Sequence, residues 1–180
     1  MDCKAGLLFF IILLIGSFAP EDDMSIFFDH TDANARIIGG TEVAAGTHPH
    51  MVALIVGVSV KNFICGGSLL TQRTVLTAAH CVDNVYGINW VIRVLITASN
   101  VVLNSLVQPV ALTYEHIDAG VPSIVAGWGV TKGDSGSALR RADNGKQFGI
   151  ASWGFLCALG HPDVFVRISA YESWLKTVIV

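Results

Sequence analysis

Charge is scarce in this 180-residue sequence, at 14% of residues, and no run of Lys or Arg is longer than the pair Arg140-Arg141. With a formal net charge of −3 there is no basic stripe to follow a phosphate backbone, which argues against a nucleic-acid partner. The same shortage, set beside 52% hydrophobic residues, is the reverse of a swollen disordered chain. No Asn-x-Ser/Thr sequon occurs, so N-glycosylation is not expected. Internal repeats and low-complexity tracts are also absent. The length suits one domain with a buried core and is short for two.

What is present begins with a greasy block. Lys4 precedes Leu7–Ile15, nine consecutive apolar residues, and Gly16-Ser17-Phe18-Ala19 follows. A basic residue, a short apolar stretch and small residues describe a secretory signal peptide spanning residues 1–19. Nine residues are too few to cross a hydrocarbon layer of ~30 Å, so a membrane anchor is disfavoured and no membrane is expected after signal removal. The mature chain is therefore expected outside the cell, secreted into an oxidising setting. Of the four cysteines, Cys3 leaves with the signal peptide, Cys65 and Cys81 can close a loop, and Cys157 is left over. An odd cysteine means an intermolecular bond, a free thiol or a missing segment.

Residues 51–60 and 91–97 are apolar and β-branched, and glycines punctuate the short runs between them. Asp143-Asn144-Gly145 lies between Ser137–Leu139 and Phe148–Ile150, which predicts a tight hairpin. Ser169-Ala170-Tyr171-Glu172 has the form of a capping box. Tyr171, Trp174, Leu175 and Val178 then share one face of a helix. Many short strands and one terminal helix predict an all-β protein of barrel or sandwich type.

Three motifs carry chemistry. Gly133-Asp134-Ser135-Gly136-Ser137 sets a serine on a glycine-flanked turn, where two backbone amides can converge on an oxyanion. Leu76-Thr77-Ala78-Ala79-His80-Cys81 places a histidine beside a cysteine, with Cys65-Gly66-Gly67-Ser68 upstream. Arg36-Ile37-Ile38-Gly39-Gly40 offers a basic cleavage site before a β-branched pair. Together these resemble the chymotrypsin-like serine endopeptidases. The resemblance runs from Arg36 to Trp174, with Val107–Val110, Ala126–Gly129 and Ser152-Trp153-Gly154 matching in order.

That resemblance implies a chymotrypsin-like double antiparallel β-barrel with a short C-terminal helix, occupying residues 37–180. It implies Ser135 as nucleophile, His80 as base and the Gly133 and Ser135 amides as oxyanion hole. Residues 20–36 would be an activation peptide outside the fold. Cleavage after Arg36 would free the Ile37 amine to pair with Asp134. Ser152, Trp153 and Gly154 would bind the substrate backbone as an added strand. Asp163, where the family often has glycine at the pocket wall, would favour a basic substrate side chain or else face solvent. Partners would be protein or peptide substrates and protease inhibitors, with no cofactor. No metal is expected either, because His48-Pro49-His50 lacks a third ligand and reads as a surface loop.

The departures from the pattern are as informative. The family places an Asp in a strand several tens of residues beyond the histidine. The nearest match here is Val91–Leu95, eleven residues after His80, with Val91 where Asp would stand. Asp83 is too near His80 along the chain to replace it, and Glu115 and Asp118 fall in the crossing between halves. Thr131-Lys132 joins the Gly-Trp-Gly segment directly to the nucleophile turn, where the family inserts two or more strands and a cysteine partner for Cys157. The expectation is an incomplete double barrel with exposed strand edges, less stable than its relatives and catalytically impaired. A non-catalytic homologue that binds peptides or inhibitors, and a shortened product that does not fold, stand as alternatives.

Overall fold

A computed structural model describes residues 43–57, 59–83, 91–128, 134–154 and 163–180, together with the backbone of a short strand at 26–28. The strands are β1 (Ile26–Phe28), β2 (Met51–Val56), β3 (Asn62–Leu69), β4 (Thr74–Ala78), β5 (Ile92–Ile96), β6 (Ser123–Val125), β7 (Ala138–Arg141), β8 (Gln147–Gly154) and β9 (Asp163–Arg167). They form two antiparallel sheets, ordered β2-β3-β4-β5 and β1-β9-β8-β7-β6. Neither sheet closes on itself among the described strands. The expected all-β fold is present as two open, chymotrypsin-like sheets.

β2 alternates half-buried and buried positions because one of its faces meets the core, whereas β4 (Thr-Val-Leu-Thr-Ala) is buried throughout. An interior strand covered on both faces needs no polar alternation. One apolar cluster runs from Leu54, Leu76 and Ile92 in the first sheet to Ile150 and Val166 in the second, and to Leu175 in the terminal helix. A smaller cluster of Ile117, Leu139 and Phe148 lies under the second sheet.

The hairpin is found where the sequence predicts it, with five connecting residues, 142–146. Arg141 donates to the Lys146 carbonyl at 2.9 Å and Gly145 to the Arg141 carbonyl at 3.0 Å. The helical segment also differs in its start. A 3₁₀ turn covers Ile168–Tyr171 and α1 runs Glu172–Val178, so Tyr171, not Ser169, precedes the helix and no side chain caps it. The buried face is as expected: Tyr171 and Leu175 are buried, and Trp174 and Val178 pack against the core. Among the described residues no helix is long and apolar enough to cross a membrane.

β1 is a larger departure. Residues 20–36 were expected outside the fold, yet Ile26, Phe27 and Phe28 pair with Val166, Phe165 and Val164 of β9. Ile and Phe have high strand propensity, and β9 offers unpaired backbone groups on that side.

Candidate active site

The site forms where two sheets touch through glycines. Gly66 in β3 donates its amide to the Ser135 carbonyl at 2.8 Å. A Cβ at Gly66 would stand 2.2 Å from Ser137 Oγ, so only glycine lets the backbones approach this closely. Gly136 takes φ +87°, and a Cβ there would meet Thr77 Oγ1 at 2.2 Å and the Gly66 carbonyl at 2.3 Å. The residue after Ser135 is thus held in a left-handed conformation against β3 and β4. On the other side, Gly136 donates to Ala151 at 2.6 Å and Ala151 donates to Ser137 at 2.9 Å. The serine turn is pinned between the two sheets by backbone alone.

His80 sits in a 3₁₀ turn, Ala79–Cys81, at the end of β4. Cys81 is joined to Cys65 by a disulfide with a Cα–Cα separation of 5.8 Å, as the sequence suggests. Cys81 Sγ lies 3.7 Å from the Ser135 carbonyl oxygen, so the histidine turn and the serine turn are neighbours. A disulfide sulfur has no proton to donate, and the contact is one of packing. The serine hydroxyl itself donates to the Ser152 carbonyl at 3.0 Å.

Burial lowers the pKa of His80, and its Nδ1 is buried without a hydrogen-bond partner among the described residues. The reason is legible in its surroundings. Ala79 donates its amide to the Val91 carbonyl at 2.8 Å, which places Val91 beside the histidine turn. Val91, the residue read from the sequence as standing at the family's acid position, is apolar and half-buried there. Asp83 is engaged elsewhere, with Oδ1 2.8 Å from the buried Arg93 guanidinium. Glu115 pairs with Arg141 and Asp118 with His116, in each case at the surface.

The remaining expected residues are distributed as follows. Asp134 Oδ1 accepts the Trp128 amide at 2.9 Å and crowds Gly127, where a Cβ would lie 2.2 Å away. Ser152 is buried near the end of β8. Trp153 and Gly154 pair with Val164 and Asp163 of β9, while β7 pairs with β8 only as far as Ile150. Asp163 opens β9 half-buried, and burial raises its pKa. Arg36, Ile37, Gly133 and Cys157 lie outside the described residues.

Cys65, His80 and Cys81 bring ligand-type atoms within 4.8 Å of one another, but both sulfurs are spent in the disulfide and offer no thiolate. The reading of His48-Pro49-His50 as a surface loop needs correction. His50 is 2% exposed, and burial, then Arg140 and His48, push its pKa down to about 3. His48 Nδ1 lies 2.8 Å from the Arg140 guanidinium. This histidine pair is a join between the start of β2 and β7, and a bare His-Pro-His motif carries no sign of that.

Comparison with known proteins bears on this arrangement. The Trypsin family model matches residues 37–105 and 115–175. The chain belongs to the trypsin family. Trypsin-1 of Salmo salar is 24% identical, covering 96% of this chain and 98% of the relative. Chymotrypsin-2 of Vespa crabro is 27% identical over 78% of this chain and 98% of its own length. Among solved structures, kallikrein-related peptidase 10 superposes with a TM-score of 0.65 at 27% identity, covering 76% of this chain and 98% of that one. The alignment with the salmon protein extends over 254 positions, more than this trypsin-family chain has residues. The relative therefore carries segments with no counterpart here, as the direct join at Thr131-Lys132 suggests.

Proposed function

We propose that this chain is a secreted serine endopeptidase precursor by descent, cleaved after Arg36, whose catalysis is slowed by loss of the carboxylate behind His80. The observation that carries this reading is the docking of the Ser135 turn on Gly66, beside the His80–Cys81 turn. In the reaction, His80 takes the hydroxyl proton as Ser135 Oγ attacks the scissile carbonyl carbon. The tetrahedral adduct collapses, the leaving amine takes the proton from His80, and water then hydrolyses the acyl-enzyme by the same path. The amides of Gly133 and Ser135 would hold the oxyanion. Without an acceptor at Nδ1, neither the tautomer nor the imidazolium is supported, and replacing the carboxylate in such a triad lowers kcat by about 10⁴.

The substrate would be an extended protein or peptide segment. It would lie as an added strand along Ser152-Trp153-Gly154 at the end of β8, whose other side pairs with β9. Asp163, half-buried opposite Gly154, would favour Arg or Lys at the cleaved bond, since a cation relieves the cost of an unpaired carboxylate. Release of the Ile37 amine would draw Asp134 from the Trp128 amide and reorder the oxyanion turn.

A serine-reactive phosphonate tests this. After cleavage at Arg36 the probe should label Ser135 slowly, and Ser135→Ala should abolish labelling. Asp163→Ser should remove any preference for Arg or Lys esters over Phe esters. The His80 Nδ1, buried without a partner among the described residues, favours one second reading, a non-catalytic homologue that retains the peptide groove. Tight inhibitor binding with no covalent labelling of Ser135 would select it.

A further inference from the structure

β9 is an interior strand of the second sheet because β1 lies on its outer side. Val164 and Val166 are buried, and β8 covers the opposite edge. Removing β1 would leave a row of backbone amides and carbonyls open on a strand whose side chains belong to the core. Such an edge is a template for another strand. The segment supplying β1 is built for the position. Ile26-Phe27-Phe28 has strong strand propensity and no Gly or Pro, and Asp22, Asp23 and Asp29 flank it. Nearby carboxylates discourage a further strand from adding outside β1.

Three residues form few backbone bonds, so this strand by itself binds weakly. Its tether changes that. A short linker raises the local concentration of the strand to about the millimolar range, and a cut in the linker removes that advantage. Eight residues separate Phe28 from Ile37, a reach of up to ~28 Å, so Arg36 can be presented to a protease while β1 stays in place.

We infer that Ile26–Phe28 is a tethered edge cap for β9, and that cleavage after Arg36 releases it and leaves the β9 edge open, able to take back only this same segment added in trans. This rests on the sheet order and requires no catalysis by the chain, so it survives failure of the hydrolase reading. Proteolysis would act on two places at once, the new amine at Ile37 and the sheet edge.

Amide hydrogen exchange tests it, with residues 163–167 as reporter and residues 92–96 of the first sheet as internal reference. In the uncut chain, Phe27→Pro with Phe28→Pro removes two successive amides, one of which must face β9 in a paired strand. Exchange at 163–167 should rise about tenfold or more, with 92–96 unchanged. Cleavage after Arg36 with added trypsin, followed by gel filtration, should remove the 20–36 peptide and give the same rise. Millimolar synthetic peptide of residues 21–30 should reverse it. The inference fails if either treatment leaves 163–167 unchanged, if the peptide stays bound after the cut, or if both sheets lose protection together.

Discussion

The two sheets solve the same packing problem with different completeness. The first, β2-β3-β4-β5, has a fully buried interior strand, a disulfide across Cys65 and Cys81, and a buried Arg93 matched to Asp83. The second reaches five strands only by taking β1 from the segment ahead of Arg36. Its other edge is the three-residue β6, with Ser123 and Ile124 exposed. Beside β6, Trp128 stacks on Phe63 with 44% of its surface still exposed. The better-packed sheet is also the one that ends in the His80 turn, and Val91 lies half-buried just ahead of β5. The general lesson is that burial and chemistry draw on different properties of one residue, so close packing around a site does not by itself supply its polar partners.

The largest expected effect addresses that contrast directly. Val91→Asp sets a carboxylate beside the His80 turn and should raise kcat/KM of the Arg36-cleaved chain on peptide amides by about 10²–10⁴. The sign of the pH effect follows from charge. Burial now lowers the His80 pKa, and a neighbouring carboxylate raises it, so the acid limb of labelling or turnover should move to higher pH. A folded variant with no gain would break the assignment of position 91.

Next comes the staple of the first sheet. Replacing Cys65 and Cys81 by Ser should cost about 3 kcal/mol for a loop of this length, read as a lower urea midpoint. The reporters should separate as well, with residues 92–96 losing protection more than 147–150. Equal losses in both sheets would erase the distinction drawn above.

The join between the sheets should respond to acid. His50 has a folded pKa of about 3, against about 6.5 unfolded, so the unfolded chain binds more protons across that window. Stability should be fully present above pH 6.5 and fall progressively toward pH 3, by on the order of 2 kcal/mol at pH 5. His50→Phe should flatten this slope in denaturant titrations at several pH values. An unchanged slope would assign the acid sensitivity to other groups.

Asp83→Ala takes a carboxylate from a buried guanidinium and should cost about 2 kcal/mol of stability. Activity should be left in the same range, because this acid serves Arg93 and not His80. Smallest of all, Lys176→Ala breaks an exposed pair with Glu172 on α1 and should leave the thermal midpoint within error.

Much of the site was legible in the chain. The serine turn, the histidine-cysteine turn and the Cys65–Cys81 bridge are all local patterns. What could not be read was set by contacts far apart in sequence. Nothing around Gly66 announces that its amide will hold Ser135, sixty-nine positions away, although the paired glycines hint at a close approach. Nor does Ser169 reveal that its capping box is bypassed, since a 3₁₀ turn fixed by the burial of Ile168 and Tyr171 moves the helix start. His50 is a polar residue among turn-formers, and only the packing of β2 and β7 shows it buried.

The sequence by itself determined the family, because this depends on short motifs and fixed spacing. Tertiary structure alone decided which groups are partnered. Among the described residues it left Nδ1 of His80 without an acceptor, turned the Ser135 hydroxyl to the Ser152 carbonyl and gave β9 its outer neighbour from residues 26–28. The physical reason is that backbone pairing and burial are bought with long-range closure, and which edge meets which strand depends on everything else already packed.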